Sequence, residues 1–268
     1  MSERDGYEHG VPCAITAVHP DPDAAVAFYT RLFGWEAEDA MPAGSPGRHF
    51  VCTLNGREVA AVASARGEGP PVAGWQTHVW VDSADDAAAR ATDAGGRVVT
   101  EPFDLLDAGR TAVLTDPAGA VFGVWQPRRR RGAQVVNEAG AWAMSQLTTP
   151  DPEGAKAFYG SVFGWETDTF GVGEGEVTLW RVPGYLGGEP QQPVSRDVVG
   201  VMMSTGGDGV SPQWTVDFWV DDADGVADAI TKLGGQVIVP PFDTPVSRTA
   251  VLADPQGVAF SATTVPGP

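Results

Sequence analysis

The sequence Phe28-Tyr29-Thr30-Arg31-Leu32-Phe33-Gly34-Trp35-Glu36 is repeated 130 residues later as Phe158-Tyr159-Gly160-Ser161-Val162-Phe163-Gly164-Trp165-Glu166. Six of the nine aligned positions are identical, namely the Phe-Tyr pair and the Phe-Gly-Trp-Glu ending. Such similarity at a fixed spacing, in a chain of 268 residues, indicates two copies of one structural unit.

The residues around each copy predict a helix. Asp21-Pro22 precedes the first copy and Asp151-Pro152 the second, which places an N-capping carboxylate and a proline at the first helical position. Apolar residues then recur at helical spacing, and Gly34 stands where a left-handed residue ends a helix. An apolar segment before the helix and short segments after it are typical of strands.

The same pattern begins again at Trp75 with a strand, a helix over residues 83–94 that Gly95-Gly96 stops, and strands up to Trp125. Trp214 begins the corresponding part of the second half. Each half is therefore predicted to contain two strand–helix–three-strand units. We expect one domain over residues 11–127, a linker over 128–140 and a second domain over 141–265.

Composition limits the partners. The formal net charge of −18 and a pI near 4.4 argue against nucleic acid and anionic membrane surfaces, which such a protein would repel. Two cysteines in a chain of this length are no disulfide framework, and we expect a cytoplasmic protein with no membrane span. The sequence leaves a monomer and a homodimer equally open.

The linker carries Arg128-Arg129-Arg130-Arg131. One interpretation is a nucleic-acid or targeting patch. Against the acidic background we favour a solvated linker or a clamp onto the acidic body of the protein.

Taken together, these motifs resemble the vicinal oxygen chelate superfamily, which includes glyoxalase I, bleomycin-resistance proteins and extradiol dioxygenases. The resemblance rests on repeated motifs, which in the first half are Asp21-Pro22, Ala27-Phe28-Tyr29, Phe33-Gly34-Trp35, Trp80-Val81-Asp82, Gly95-Gly96 and Asp116-Pro117-Ala118-Gly119. The chain is most similar in style to tandem two-domain, glyoxalase-like members from actinobacteria. The resemblance implies an α+β fold of four βαβββ modules, whose mixed and antiparallel sheets curl around a central cavity.

Strand alternation predicts which side chains face such a cavity, since the other face must pack on the helices. In the strand after Trp75 we assign Thr77, Val79 and Val81 to the helix side. The cavity side then receives Thr16, Gln76, His78, Trp80 and Trp125 in the first half, and Met144, Gln146, Thr215, Asp217, Trp219 and Ser261 in the second.

The metal enzymes of the family hold a divalent ion at fixed positions on these strands. By the resemblance, those positions are Ala14, Gln76, Gly123, Met144, Thr215 and Ser261. One possible ligand among six does not make a site, because such metals need several imidazole or carboxylate groups. We therefore expect no metal and no cofactor.

An aromatic cavity with a few polar groups is typical of sites for small planar molecules. We therefore expect metal-independent binding of a small, partly aromatic organic molecule, for sequestration or resistance. The alternatives are an enzyme of secondary metabolism, with His78 and Asp217 as a paired acid and base and with or without a weakly held metal, and a protein-binding scaffold. A plain core role for the tryptophans, and a structural one for His78, also stay open.

Overall fold

The computed structural model describes residues 3–65, 73–172, 175–187, 195–205, 209 and 211–264. Strands and helices alternate in four repeats of the order strand, helix, three strands. In the first half they are β1 (Pro12–His19), α1 (Pro22–Phe33), β2 (Glu36–Asp39), β3 (His49–Leu54), β4 (Arg57–Ser64), β5 (Gly74–Trp80), α2 (Ala84–Asp93), β6 (Arg97–Leu105), β7 (Gly109–Thr115) and β8 (Val121–Pro127).

The second half repeats this order. Its elements are β9 (Trp142–Thr149), α3 (Pro152–Phe163), β10 (Glu166–Val172), β11 (Gly175–Arg181), β12 (Val198–Ser204), β13 (Gln213–Trp219), α4 (Ala223–Lys232), β14 (Gln236–Asp243), β15 (Arg248–Ala253) and β16 (Ala259–Thr264). The predicted α+β fold of four βαβββ modules is confirmed.

Each half forms one open, mixed, eight-stranded sheet. The first has the order β2-β3-β4-β1-β5-β8-β7-β6, and the second has the equivalent order β10-β11-β12-β9-β13-β16-β15-β14. The two modules of a half join where β1 pairs antiparallel with β5, and β9 with β13. Each sheet therefore needs both modules of its half.

The helix ends follow the local sequence as expected. The Asp21 carboxylate accepts a hydrogen bond from the Ala24 amide at 3.0 Å, and Asp151 accepts one from Gly154 at 2.9 Å. Gly34 and Gly164 close the two helices at φ 72° and 73°, a conformation that glycine adopts without a steric penalty. The repeated stretch is thus a capped helix that leads into an edge strand.

The hydrophobic cores are shared between the halves. Phe33 of α1 packs on Phe218 of β13, with ring centroids 4.7 Å apart, and Phe122 of β8 packs on Tyr159 of α3 at 5.6 Å. The first helix of each half therefore contributes to a core with the other half. Each sheet turns one face to this interface, and its other face points away from it.

The arginine run is a clamp onto acidic residues of the first half, which was one of the alternatives that the sequence left open. Arg128 pairs with Asp104 at 2.8 Å and Arg129 with Asp107 at 3.0 Å, Arg130 pairs with Glu58, and the Arg131 guanidinium lies 5.5 Å from the Trp80 ring centroid. These contacts fix the linker against the first sheet.

Within the described residues, no helix combines the length and the apolar character that a bilayer span requires.

Candidate functional site

A cavity of about 240 Å³ lies on the face of the first sheet that points away from the second half. Every strand of that sheet except β2 contributes to its wall, as does the linker. The larger apolar residues in the wall include Val18, Val99, Phe103, Leu105, Val113 and Trp125. The polar side chains include Thr16, His49, Glu58, Gln76, His78 and Arg130. Apolar walls with a few convergent polar groups are typical of sites for small organic molecules.

The register of strands β1, β5 and β8 shows which residues form the polar floor of this cavity. Thr16 lies opposite Gln76, and His78 lies between Ala14 of β1 and Gly123 of β8. Thr77 points the other way, since its hydroxyl lies 2.6 Å from the Ser145 hydroxyl in the interface between the halves. The alternation of side chains along β5 therefore turns Gln76 and His78 into the cavity.

His78 is a buried imidazole in the wall of the cavity. The residue is 8% exposed, and neither ring nitrogen has a hydrogen-bond partner among the described residues. Burial, assisted by the positive charge of Arg130, lowers the pKa of His78 to about 4. The ring is therefore neutral at physiological pH and offers one N–H donor and one acceptor nitrogen to the cavity.

Gly123 provides the space for this ring. A Cβ atom at position 123 would lie 2.1 Å from Nδ1 of His78 and 2.5 Å from its Cε1. No side chain fits there without displacing the imidazole. The orientation of His78 thus depends on a glycine in the neighbouring strand.

A partly buried ion pair forms the other polar part of the wall. Nε of Arg130 donates to Oε2 of Glu58 at 3.1 Å, and Nη2 donates to Oε1 of the same carboxylate. Nη1 lies 3.0 Å from Nε2 of His49. The Arg130 and Glu58 side chains are only 15% and 14% exposed. Removing a charged group from water is costly unless a group of opposite charge pairs with it, and Arg130 and Glu58 meet this condition for each other.

Four of the sequence-predicted residues meet at this cavity, namely Thr16, Gln76, His78 and Trp125. Trp80 is not among the described lining residues. It packs with Cys13, Leu105, Ala108 and Trp125, and the Tyr7 ring lies 6.2 Å away. Trp80 therefore belongs to a small apolar cluster beneath the N-terminal segment.

The expected pairing of His78 with Asp217 is wrong. Asp217 lies on the second sheet, where its Oδ1 accepts a hydrogen bond from the Thr263 hydroxyl at 2.6 Å, and both nitrogens of His78 lack a described partner. Burial raises the pKa of Asp217 to about 7. The two residues occupy equivalent positions on the two sheets. Each lies on the sheet face that points away from the other half, so the two side chains point away from each other.

The other second-half residues also lie away from the first cavity. Thr215 donates to the Gln146 carbonyl at 3.4 Å, Ser261 lies beside Asp217 in register, and Trp219 lies beside Thr263. Met144 lines a separate cavity of about 50 Å³ near Tyr7. The predicted site residues thus divide into two groups on two sheets.

The residues at the family's metal positions do not fit a divalent ion. Ala14 and Gly123 have no side-chain ligand atom, which leaves Gln76 as the one possible ligand among the three positions of the first half. Glu58, which lines the cavity but is not at one of these positions, has both carboxylate oxygens held by Arg130. Within the described part of the chain, no group of three or more His, Cys, Asp or Glu side chains is placed to share a metal. The polar groups that line this cavity are hydroxyl, amide, imidazole, carboxylate and guanidinium groups.

Sequence reasoning missed the contribution of His49, Glu58 and Arg130 to the wall. One signal was present, since Glu58 is a lone acid beside the apolar run Val59-Ala60-Ala61-Val62 and therefore needs a partner. Arg130 was identified only as one member of a clamp.

Comparison with known proteins agrees with this architecture. The model of the Glyoxalase/Bleomycin resistance protein/Dioxygenase superfamily matches residues 14–124, and that of the Glyoxalase-like domain matches residues 142–263. The chain therefore belongs to the glyoxalase/bleomycin resistance protein/dioxygenase superfamily, as a tandem of two such domains.

Two relatives extend over nearly the whole chain. The chain is 40% identical to the "Putative glyoxylase CFP32" of Mycobacterium tuberculosis, with 97% of each chain covered. It is 33% identical to the "Anthracycline biosynthesis protein DnrV" of Streptomyces peucetius, with 95% of this chain and 93% of the relative covered.

Solved structures share the fold at low identity. The Mn(II)-bound glyoxalase from Novosphingobium aromaticivorans superposes with a TM-score of 0.64 at 16% identity, covering 96% of this chain and 83% of that one. The 2,3-dioxygenase LapB from Pseudomonas sp. KL28 gives a TM-score of 0.63 at 12% identity, with 98% and 96% covered. These likenesses concern the fold alone.

Proposed function

We propose that the first-half cavity binds a small, partly aromatic organic molecule without the help of a metal, and that the protein sequesters this molecule or confers resistance to it. The observation that carries the proposal is His78, a buried and neutral imidazole that lines a largely apolar cavity and whose two nitrogens have no partner among the described residues. A buried polar group without a hydrogen bond is costly. A ligand that satisfies it gains a strong, directional interaction.

The lining and the volume of the cavity support a small, partly aromatic ligand. Phe103 and Trp125 provide aromatic surface in the wall, and the volume is about 240 Å³. Gln76 and Thr16 face each other in register and add polar contacts at the floor. These groups bind by hydrogen bonds, which requires no metal.

The relatives support a place in secondary metabolism. One is named as an anthracycline biosynthesis protein and another as a putative glyoxylase. We infer that the partner of this chain is a small molecule rather than nucleic acid or a membrane, because the protein is strongly acidic and its arginine run is engaged internally. Cys13 and Cys52 are buried free thiols, which suits a cytoplasmic location.

A second candidate function is an enzyme in which His78 alone moves a proton. The position of the ring favours it, because His78 lines the cavity and its two nitrogens have no partner among the described residues. Its low pKa keeps the ring unprotonated but makes it a weak base, so the proton that it takes has to be an acidic one. Asp217 has no part in this reaction, since it lies on the other sheet. Ligand turnover that is lost in His78→Ala distinguishes the enzyme from the binding protein.

The test is a thermal-shift screen of planar aromatic metabolites, run with a metal chelator in the buffer. A ligand that binds only the folded state raises Tm, and a ligand at about 100 times its Kd adds about 2.7 kcal/mol. We expect hits that raise the Tm of the wild type and of Asp217→Asn, but not that of His78→Ala. Hits that require added metal, or that His78→Ala retains unchanged, contradict the proposal.

A further inference from the structure

Arg130 differs from its neighbours in the arginine run. Arg128 and Arg129 are 43% and 72% exposed and pair with surface aspartates, whereas Arg130 is 15% exposed and lines the cavity. Exposed ion pairs such as those of Arg128 and Arg129 contribute little to stability. Arg130 is in a different environment, because its side chain is partly buried and lies in the cavity wall.

The backbone around Arg130 is fixed from several sides. Its amide donates to the Ala108 carbonyl at 3.0 Å, and its carbonyl accepts a hydrogen bond from Nε1 of Trp125 at 3.1 Å. Two residues on, a Cβ at Gly132 would lie 2.4 Å from the Cys13 carbonyl oxygen, so the linker runs in close contact with β1. The backbone that carries the Arg130 side chain is therefore fixed against the first sheet.

The Arg130 guanidinium joins side chains of two strands. It contacts Glu58 near the beginning of β4, and it contacts His49 of β3, whose backbone pairs with Ala63 near the end of β4. Arg130 itself lines the cavity, so a ligand in this space lies beside it.

Arg130 retains hydrogen-bonding capacity. A guanidinium has five N–H groups, and three are engaged by Glu58 and His49. The other two have no partner among the described residues. Its positive charge is also felt at the cavity floor, since it helps to lower the pKa of His78 even though Glu58 stands beside it.

We propose that Arg130 is the specificity-determining residue of this cavity and that it binds an anionic oxygen, a carboxylate or a phenolate, on an aromatic ligand. The inference rests on the proposed function, because it names the class of molecule that the same cavity takes. A planar guanidinium is well matched to such oxygens, and a hydrogen bond between charged partners is about twice as strong as a neutral one. The apolar wall holds the rings while Arg130 and His78 hold the polar end.

The test compares two probes of nearly the same shape, naphthalene-2-carboxylate and naphthalene-2-carboxamide, by calorimetric titration at pH 7.5. We expect the wild type to bind the carboxylate about tenfold or more tightly than the carboxamide, as for a charge-assisted hydrogen bond. In Arg130→Gln this ratio falls to about one while the carboxamide still binds. The matched control Arg128→Gln, in the same run but outside the cavity, keeps the wild-type ratio.

Arg130→Gln leaves the Glu58 carboxylate without its partner, so the double variant Arg130→Gln/Glu58→Gln replaces the ion pair by two amides and is measured alongside. The inference is overturned if the wild type binds both probes equally. It is also overturned if Arg130→Gln or Arg130→Gln/Glu58→Gln keeps the wild-type preference for the carboxylate. If the carboxamide binds and depends on His78 while no preference is found, the proposed function stands and only the role of Arg130 fails. If neither probe binds and the thermal-shift screen gives no hit, both fail.

Discussion

The Tyr29 hydroxyl donates to Oδ2 of Asp254, in the opposite half of the chain, at a distance of 2.9 Å. The equivalent Tyr159 hydroxyl lies 3.3 Å from Oδ2 of Asp116. The repeated Phe-Tyr motif of one half therefore contacts the repeated Asp-Pro-x-Gly motif of the other. Both bonds are buried between the sheets, which explains why the two motifs occur together in both copies.

Tyr29→Phe is expected to destabilise the protein by about 1–3 kcal/mol, because it removes a donor from a buried carboxylate. The pKa of the Tyr29 hydroxyl is raised by burial, so the group is a neutral donor at all working pH values. Urea unfolding of the full chain measures the change. Tyr159→Phe is the matched variant, and we expect a loss in the same direction. Unchanged stability in both variants would show that the cross-half bonds contribute nothing.

The fold was predictable from the sequence because its signals are local. Asp21, Pro22 and Gly34 specify helix ends through their own backbone preferences, and the spacing of the repeat then fixes the order of the modules. What the sequence did not specify is how the halves pack. The equivalence of His78 and Asp217 suggested a pair, and only the back-to-back arrangement of the sheets shows that these residues point apart.

The site residues that lie on strands were predictable, because side chains alternate between the two faces of a sheet. Gln76 and His78 follow from the alternation along β5. Arg130 does not, because a linker has no periodicity and its course over the first sheet depends on contacts with Ala108 and Cys13. Long-range contacts of this kind leave no pattern in the sequence.

Gly123→Ala is expected to displace the His78 ring, since the new methyl group would lie within 2.1 Å of Nδ1. Overpacking of this kind typically costs about 1–3 kcal/mol. We expect a lower Tm and loss of the ligand-dependent rise in Tm. Ser261 is the equivalent residue of the second half, and Ser261→Ala is the control that should leave ligand binding intact. Wild-type binding by Gly123→Ala would show that the orientation of His78 is unimportant.

Asp217→Asn is expected to change how stability depends on pH. Burial raises the pKa of Asp217 from 3.8 in the unfolded chain to about 7 in the folded protein, so folding becomes less favourable as the pH rises from about 4 to above 7. The variant has no such loss. Because the Asp217 residue is only partly buried, water screens part of this effect. We expect Asp217→Asn to be more stable than the wild type by about 1–2 kcal/mol at pH 8 and to show no advantage at pH 4.

Urea unfolding at the two pH values tests this prediction, with the exposed Asp221→Asn as control. A stability difference between Asp217→Asn and wild type that is the same at pH 4 and pH 8 would contradict the assignment of a raised pKa to Asp217.

The most direct test of ligand binding at His78 is nitrogen NMR of protein labelled with ¹⁵N at its four histidines, His9, His19, His49 and His78. Signals are assigned with His78→Ala and titrated with a hit from the screen. We predict that the two ring nitrogens of free His78 show a neutral imidazole at pH 7 and that at least one shifts strongly when it gains a hydrogen bond from the ligand. A ligand that binds tightly but leaves both His78 signals unmoved would place the site elsewhere and contradict the proposal.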